Sequence, residues 1–183
     1  MPKSDSRTVY YLNHHSWWDG IIPLLLNEYR LQQNARAIME DKQMKQYPFF
    51  KKIGAFSINR DDPKKAVTSL RYAVQSMKRE RASLFIYPEG KITPAGSDMS
   101  FEGGLAWLHS KVPDVDYVPI GIYMHTIRHD KPELHMHIGE SVNINPASSN
   151  EQKTALLENK LNDILRELHE TAGFNNTPYE QFV

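Results

Sequence analysis

Thr8-Val9-Tyr10-Tyr11-Leu12-Asn13-His14-His15-Ser16-Trp17-Trp18-Asp19 is the stretch from which the rest of this chain is best read. Its first five residues are β-branched, aromatic or aliphatic and read as a strand. Two histidines, a serine and an aspartate follow at once. Gly20-Ile21-Ile22-Pro23-Leu24-Leu25-Leu26 comes next, too short and too interrupted for a membrane span. The histidines therefore stand where a strand gives way to a turn or helix, which is where α/β proteins place their chemistry. Further strand patterns recur at Arg36–Met39, Ala55–Asn59, Ala82–Tyr87, Tyr117–Met124 and Leu134–Ile138. Between them lie helical patterns. The clearest is Pro63 to Glu80, with Asp62 as cap and Ala66, Leu70, Ala73, Val74 and Met77 as its apolar stripe. Ser148 with Glu151 forms a capping-box pattern ahead of a last helix whose inner face is Leu157, Leu161, Ile164, Leu165 and Leu168. Alternating strands and helices predict an α/β fold: a single domain over residues 1–172 with a mixed, mainly parallel sheet flanked by helices. The Asn- and Pro-containing tail, 173–183, is expected to be loosely held.

Composition narrows the function. The chain has 183 residues, 40% of them hydrophobic, enough for one domain with a real core. It has no cysteine, which excludes disulfides, thiolate metal sites and cysteine nucleophiles and fits a reducing compartment. Acidic and basic residues balance at 22 each, so bulk charge favours neither nucleic acid nor an acidic membrane. No apolar run approaches the ~18–20 residues of a span, and no signal peptide is visible behind Met1-Pro2-Lys3-Ser4-Asp5.

A neutral imidazole takes a proton from a hydroxyl when a carboxylate holds its other nitrogen in the right tautomer. Two pairings compete. His15 and Asp19 stand four apart, the spacing of neighbours on a helical face. His14 and Asp19 stand five apart, which requires the histidine to precede the helix. Spacing leaves both open, along with the plain reading of a capping histidine beside a solvated one.

Four segments in order resemble the blocks of the glycerolipid acyltransferases, the 1-acylglycerol-3-phosphate acyltransferase-like family. Asn13-His14-x-Ser16-x-x-Asp19 resembles its H-x4-D box. Gly54-Ala55-Phe56-Ser57-Ile58-Asn59-Arg60 is similar to its second block, Phe85-Ile86-Tyr87-Pro88-Glu89-Gly90 to its third, and Val118-Pro119-Ile120 to its fourth. The resemblance implies that His14 is the catalytic base and Asp19 its orienter. It also implies that Arg60 contacts an acceptor phosphate, where the plain alternative is an ion pair with Asp61 or Asp62. Glu89, Gly90 and Lys91 belong by the same resemblance to the substrate site. The reaction implied is transfer of a fatty acyl group from acyl-CoA or acyl carrier protein to a lipid hydroxyl. No other cofactor is expected. The partners implied are the acyl donor, the lipid acceptor and a membrane surface, with no nucleic acid, and the place implied is the cytoplasmic membrane face. Many relatives carry an N-terminal anchor; only thirteen residues precede His14, so a soluble or trimmed form is expected.

The chain departs from the family at two points. Lys91-Ile92-Thr93 replaces the threonine–arginine–serine that usually continues the third block, and Lys91 is a mobile point charge where arginine is a planar fork. Phe101-Glu102-Gly103-Gly104 carries glutamate where a basic residue is common. Lysophosphatidate, another lysophospholipid or a glycolipid therefore remain open as acceptors. A hydrolase that gives the acyl group to water and a non-catalytic lipid-binding domain are the alternatives. The missing G-x-S-x-G elbow fits direct attack by the acceptor.

Lys42 to Lys52 interleaves lysines with Met44, Tyr47, Phe49 and Phe50, a composition suited to a lipid surface. Of Trp17 and Trp18, one is expected in the core and the other along an acyl channel. His125, His129, His135 and His137 are not expected to bind metal, because no cysteine or nearby acid completes a ligand set. His109 and His169 are expected on helix surfaces, and Val118-Pro119-Ile120 in the core.

Overall fold

A computed structural model describes residues 7–175 and 179–181. Its centre is a six-stranded sheet in the order β3-β2-β4-β1-β5-β6. The strands are β1 (Thr8–Leu12), β2 (Ala35–Glu40), β3 (Ala55–Ile58), β4 (Ser83–Ile86), β5 (Asp116–His125) and β6 (Glu133–Ile138). The first five run parallel and β6 closes one edge antiparallel to β5. Every strand lies within about a residue of its expected bounds, so the α/β expectation holds. Between β1 and β2 lie a short 3₁₀ turn (Trp17–Gly20), α1 (Ile22–Leu26) and a π turn (Asn27–Leu31). α2 (Asp41–Gln46) and a second 3₁₀ turn (Pro48–Ile53) join β2 to β3.

Alternation along the strands divides the core between the two faces. Val9, Tyr11, Leu84, Ile86 and Tyr117 face α3 (Pro63–Arg79), α4 (Gly104–Lys111) and α5 (Asn150–Thr171). Tyr10, Leu12, Phe85, Val118, Ile120 and Ile122 face the other way, under Ile22, Leu26 and Leu31. Leu157, Leu161 and Leu168 are fully buried on α5; truncating any one to alanine would cost about 2–5 kcal/mol. A Cβ on Gly121 would lie 2.7 Å from Ile164, so glycine there lets α5 sit close on β5. Val118, Pro119 and Ile120 are buried, as expected.

Asp62 caps α3, accepting from the Lys64 and Lys65 amides at 3.1 and 3.2 Å. The capping box of α5 is shifted by one residue from expectation. Ser149 and Gln152 bond reciprocally at 2.9 and 3.2 Å. Ser148 is taken by a turn, its amide donating to the Asn145 carbonyl at 3.1 Å. His109 also departs from expectation. It is buried on α4 against Tyr117, 5.2 Å between ring centroids, and not on the surface. His169 is half-buried, 4.5 Å from the Tyr123 ring. From the expected tail, Tyr179 packs against His135; residues 176–178, 182 and 183 lie outside the described residues, as do residues 1–6. No described helix is long and apolar enough to cross a membrane.

Candidate active site

β1 ends at Leu12, and the next residues carry the first block across the C-terminal edge of the sheet. Asn13 fixes the exit. Its buried side-chain amide donates to the Ile122 carbonyl at 2.8 Å, and its oxygen accepts from the Ile122 amide at 2.7 Å. The chain then turns at Ser16, whose side chain caps the 3₁₀ turn while Asp19 reaches back to the Ser16 backbone. That reciprocal cap folds Asp19 toward His14. Asp19 Oδ2 lies 3.0 Å from His14 Nδ1 and accepts from the His15 and Ser16 amides, both at 2.7 Å. Asp19 is buried. With three bonds on one oxygen, the carboxylate is locked in place. Its bond to Nδ1 leaves His14 Nε2 as the nitrogen able to take a proton.

The structure thereby separates the two histidines. His15 turns its ring away, Nδ1 lying 2.9 Å from the Thr93 carbonyl, and faces a different hollow of about 390 Å³ beside His169. His14 lines a separate cavity of about 610 Å³ that shares no residue with it.

Three groups behind His14 hold it. Glu89, only 1% exposed, accepts from the His14 amide at 2.8 Å and from the Thr93 hydroxyl. The Thr93 amide donates to the His14 carbonyl at 2.8 Å. Tyr87 lies against the imidazole, 4.5 Å between centroids, and its hydroxyl donates to the Asp19 carbonyl. Burial, and then the Asp19 charge, push the Tyr87 phenol well above its ordinary value, so it is a neutral donor. These roles of Asn13, Tyr87 and Thr93 were not apparent from the sequence. Tyr87 belongs to the quoted third block, but a tyrosine before Pro-Glu-Gly does not by itself announce a bond to a turn 68 residues away.

Of the other expected site residues, Arg60, Gly90 and Lys91 line the same cavity as His14; Glu89 does not, because its carboxylate is committed to the backbone of the first block. Gly90 has φ +66°, and a Cβ there would lie 2.9 Å from the Arg60 guanidinium carbon. Glycine is thus what admits the arginine. Arg60 donates to the Gly90 carbonyl and lies 3.3 Å from Glu102. Its sequence neighbours are otherwise engaged: Asp61 pairs with Lys42 at 3.0 Å, and Asp62 caps α3.

The cavity continues from His14 along β2. Ala35, Ala37 and Met39 line it with Phe85, and Pro23 and Leu24 of α1 and Phe50 and Ile53 of the second 3₁₀ turn complete its walls. Its lining also takes in Gln33 and Asn34 ahead of β2 and the polar Arg36 and Glu40 on the strand.

Neither tryptophan enters the core. Trp17 lines the cavity mouth and packs edge-on against Tyr47, 5.4 Å between centroids, while Trp18 is 58% exposed. The segment 42–52 is likewise divided: Met44 and Phe50 are buried, and Phe49 is 45% exposed. Packing of the second 3₁₀ turn against Ala55 draws Phe50 inward. Among the described residues no three His, Cys, Asp or Glu side chains are grouped to hold a metal ion. His125 and His135 stack at 4.9 Å between centroids, and, against expectation, an acid does stand near these histidines: Glu133 lies 3.3 Å from His129 and 3.9 Å from His125.

A carboxylate-held histidine beside a deep cavity, at the carboxyl ends of parallel strands, is the layout of an α/β enzyme site. The chain matches the model of the family described as Acyltransferase over residues 2–123 and belongs to that family. It is also similar to a 1-acyl-sn-glycerol-3-phosphate acyltransferase of coconut, Cocos nucifera, with 24% identity over 127 residues. That similarity takes in 66% of this chain and 40% of the coconut protein's length.

Proposed function

We propose that this protein moves a fatty acyl group from acyl-CoA or acyl carrier protein to the hydroxyl of a lysophospholipid or related lipid. The observation that carries the reading is His14, held by Asp19, lining a cavity of about 610 Å³ that Pro23, Leu24, Ala35, Ala37, Met39, Phe50 and Phe85 also line. Family membership and the coconut relative's name support acyl transfer to a glycerol phosphate lipid.

In this mechanism His14 Nε2 takes the proton of the acceptor hydroxyl as its oxygen attacks the thioester carbonyl carbon. The carbonyl oxygen takes up negative charge as the tetrahedral intermediate forms. The C–S bond then breaks, the electron pair leaves on sulfur, and the imidazolium returns its proton to the thiolate. Asp19 stabilises the imidazolium and keeps its orientation. General-base catalysis contributes about 10²–10⁴-fold, so positioning along the cavity supplies much of the rest. Arg60 and Lys91, at the cavity beside Gly90, place the acceptor headgroup. Trp18 on Trp17, Phe49 on Phe50, and Ile53 expose apolar surface next to the cavity lining, with Lys51 and Lys52 in the same segment, and bring the cavity to a membrane.

The test is free-thiol release from palmitoyl-CoA and from palmitoyl carrier protein, with and without a lysolipid panel. Release that depends on the acceptor and yields diacyl lipid supports acyl transfer. Release indifferent to acceptor makes the protein a hydrolase, and binding of lipid without release from either donor makes it a lipid-binding domain.

A further inference from the structure

Arg60 already has an anion. Its Nη2 lies 3.3 Å from Glu102 Oε1, while Nη1 donates to the Gly90 carbonyl. The side chain of Glu102 is exposed, but its backbone is anchored beside the site. Its amide donates to the Pro88 carbonyl at 2.8 Å, on the turn that carries Glu89 and Gly90. The preceding amide, of Phe101, donates to Glu158 on α5 at 2.7 Å. The backbone is therefore held at Phe101 and Glu102, and from there the carboxylate meets the guanidinium on this part of the cavity wall. Arginine and glutamate together present no net charge to an arriving headgroup, so Lys91 beside Gly90 contributes the net positive charge there.

We propose that Glu102 is a specificity-determining residue that turns the acceptor site away from phosphomonoesters and toward lysolipids whose phosphate is a diester. The inference rests on the reading of Arg60 as an acceptor contact. A phosphomonoester carries about −1.5 to −2 at neutral pH, its second proton titrating near pH 6, whereas a diester carries a single charge. Either must share Arg60 with the Glu102 carboxylate or displace it. The extra charge of the monoester meets that carboxylate at close range, and like-charge juxtaposition discriminates strongly between otherwise similar ligands. The diester uses the arginine donors that Glu102 and Gly90 leave free and meets less repulsion. Glu102 is two-thirds exposed, so solvent screens the effect and the discrimination is moderate.

The experiment compares kcat/KM for 1-palmitoyl lysophosphatidate and 1-palmitoyl lysophosphatidylglycerol in neutral micelles at pH 8, for wild type, Glu102→Gln, Glu102→Lys and Arg60→Ala. Wild type is expected to prefer the diester. Glu102→Gln is expected to shift the monoester-to-diester ratio about tenfold toward the monoester, and Glu102→Lys further. The shift is expected to shrink in high salt. A ratio within twofold of wild type in both Glu102 variants, with Arg60→Ala raising KM for both acceptors, overturns the role of Glu102 alone. Unchanged KM values in Arg60→Ala overturn the Arg60 reading and this inference with it.

Discussion

Replacing Glu89 by glutamine separates holding the histidine from holding the acceptor. The glutamine oxygen still accepts from the His14 amide, now 2.8 Å from Glu89 Oε1. The new amide group faces the Thr93 hydroxyl, which turns to accept from it and offers its own proton to the His14 carbonyl, 3.4 Å away. What is lost is the charge on the acceptor, and hydrogen bonds to charged groups exceed neutral ones by roughly 1 kcal/mol. At about 1.4 kcal/mol per factor of ten, Glu89→Gln is expected to lower kcat about fivefold. Glu89→Ala leaves the half-buried His14 amide without its acceptor, at roughly 1–3 kcal/mol, while the Thr93 hydroxyl falls back on the His14 carbonyl; it is expected to lower kcat by about 10²-fold with a matching fall in Tm. Neither variant touches the cavity wall, so the acceptor KM is expected to stay within about twofold in both. Steady-state thiol release against acceptor concentration, beside thermal unfolding followed by circular dichroism, measures all three quantities. A tenfold rise in acceptor KM with kcat intact would show that Glu89 binds the acceptor, and would refute its role in positioning His14.

Tyr87→Phe removes the bond to the Asp19 carbonyl but keeps the ring on His14; it is expected to cost about 1 kcal/mol of stability and several-fold in kcat, and no change in either would contradict the contact. Burial first, and then the Lys153 charge, hold His109 below the ordinary histidine value, and burial does the same for His125 and His169. The folded form therefore binds these protons less well than the unfolded chain. The resulting stability is fully present above the unfolded value near pH 6.5 and is lost as pH falls through the folded values. Tm is expected to be lower at pH 5 than at pH 7.5, with a smaller drop in His109→Phe; an identical drop would remove His109 from the cause. Trp18→Ser with Phe49→Ser is expected to abolish flotation with anionic phospholipid vesicles without lowering Tm, since both side chains are exposed; undiminished flotation would place the membrane contact elsewhere.

Elements with a strong period were legible in the sequence. β1 lies at its expected bounds, and α3 ends one residue from its expected end, because five consecutive buried strand-formers and a capped helix with one apolar stripe leave few competing arrangements. The box of α5 was ambiguous because Ser148–Glu151 and Ser149–Gln152 both fit the capping pattern. Only the turn at Asn145 decides between them. The short 3₁₀ and π turns around α1 have no periodicity to read, yet they form one wall of the cavity. At the site, local spacing allowed His14 or His15 to meet Asp19, and the structure brings His14 to it. The partners of Glu89, Tyr87 and Arg60 were hidden for a different reason: each bond closes across 30 to 75 residues of chain, through the parallel sheet order. The alternative pairing of Arg60 with Asp61 or Asp62 fails for the same reason, because adjacency in sequence competes with a carboxylate delivered by another segment.

Everything proposed for this site turns on His14, and not its neighbour, being the base. The decisive quantity is the rate of diacyl product formation from palmitoyl-CoA and a lysophospholipid, by mass spectrometry, in wild type, His14→Ala and His15→Ala at equal folded concentration. A loss of at least ~10²-fold is expected in His14→Ala and less than about tenfold in His15→Ala. Comparable losses in both variants, or a larger loss in His15→Ala, would contradict the assignment of His14.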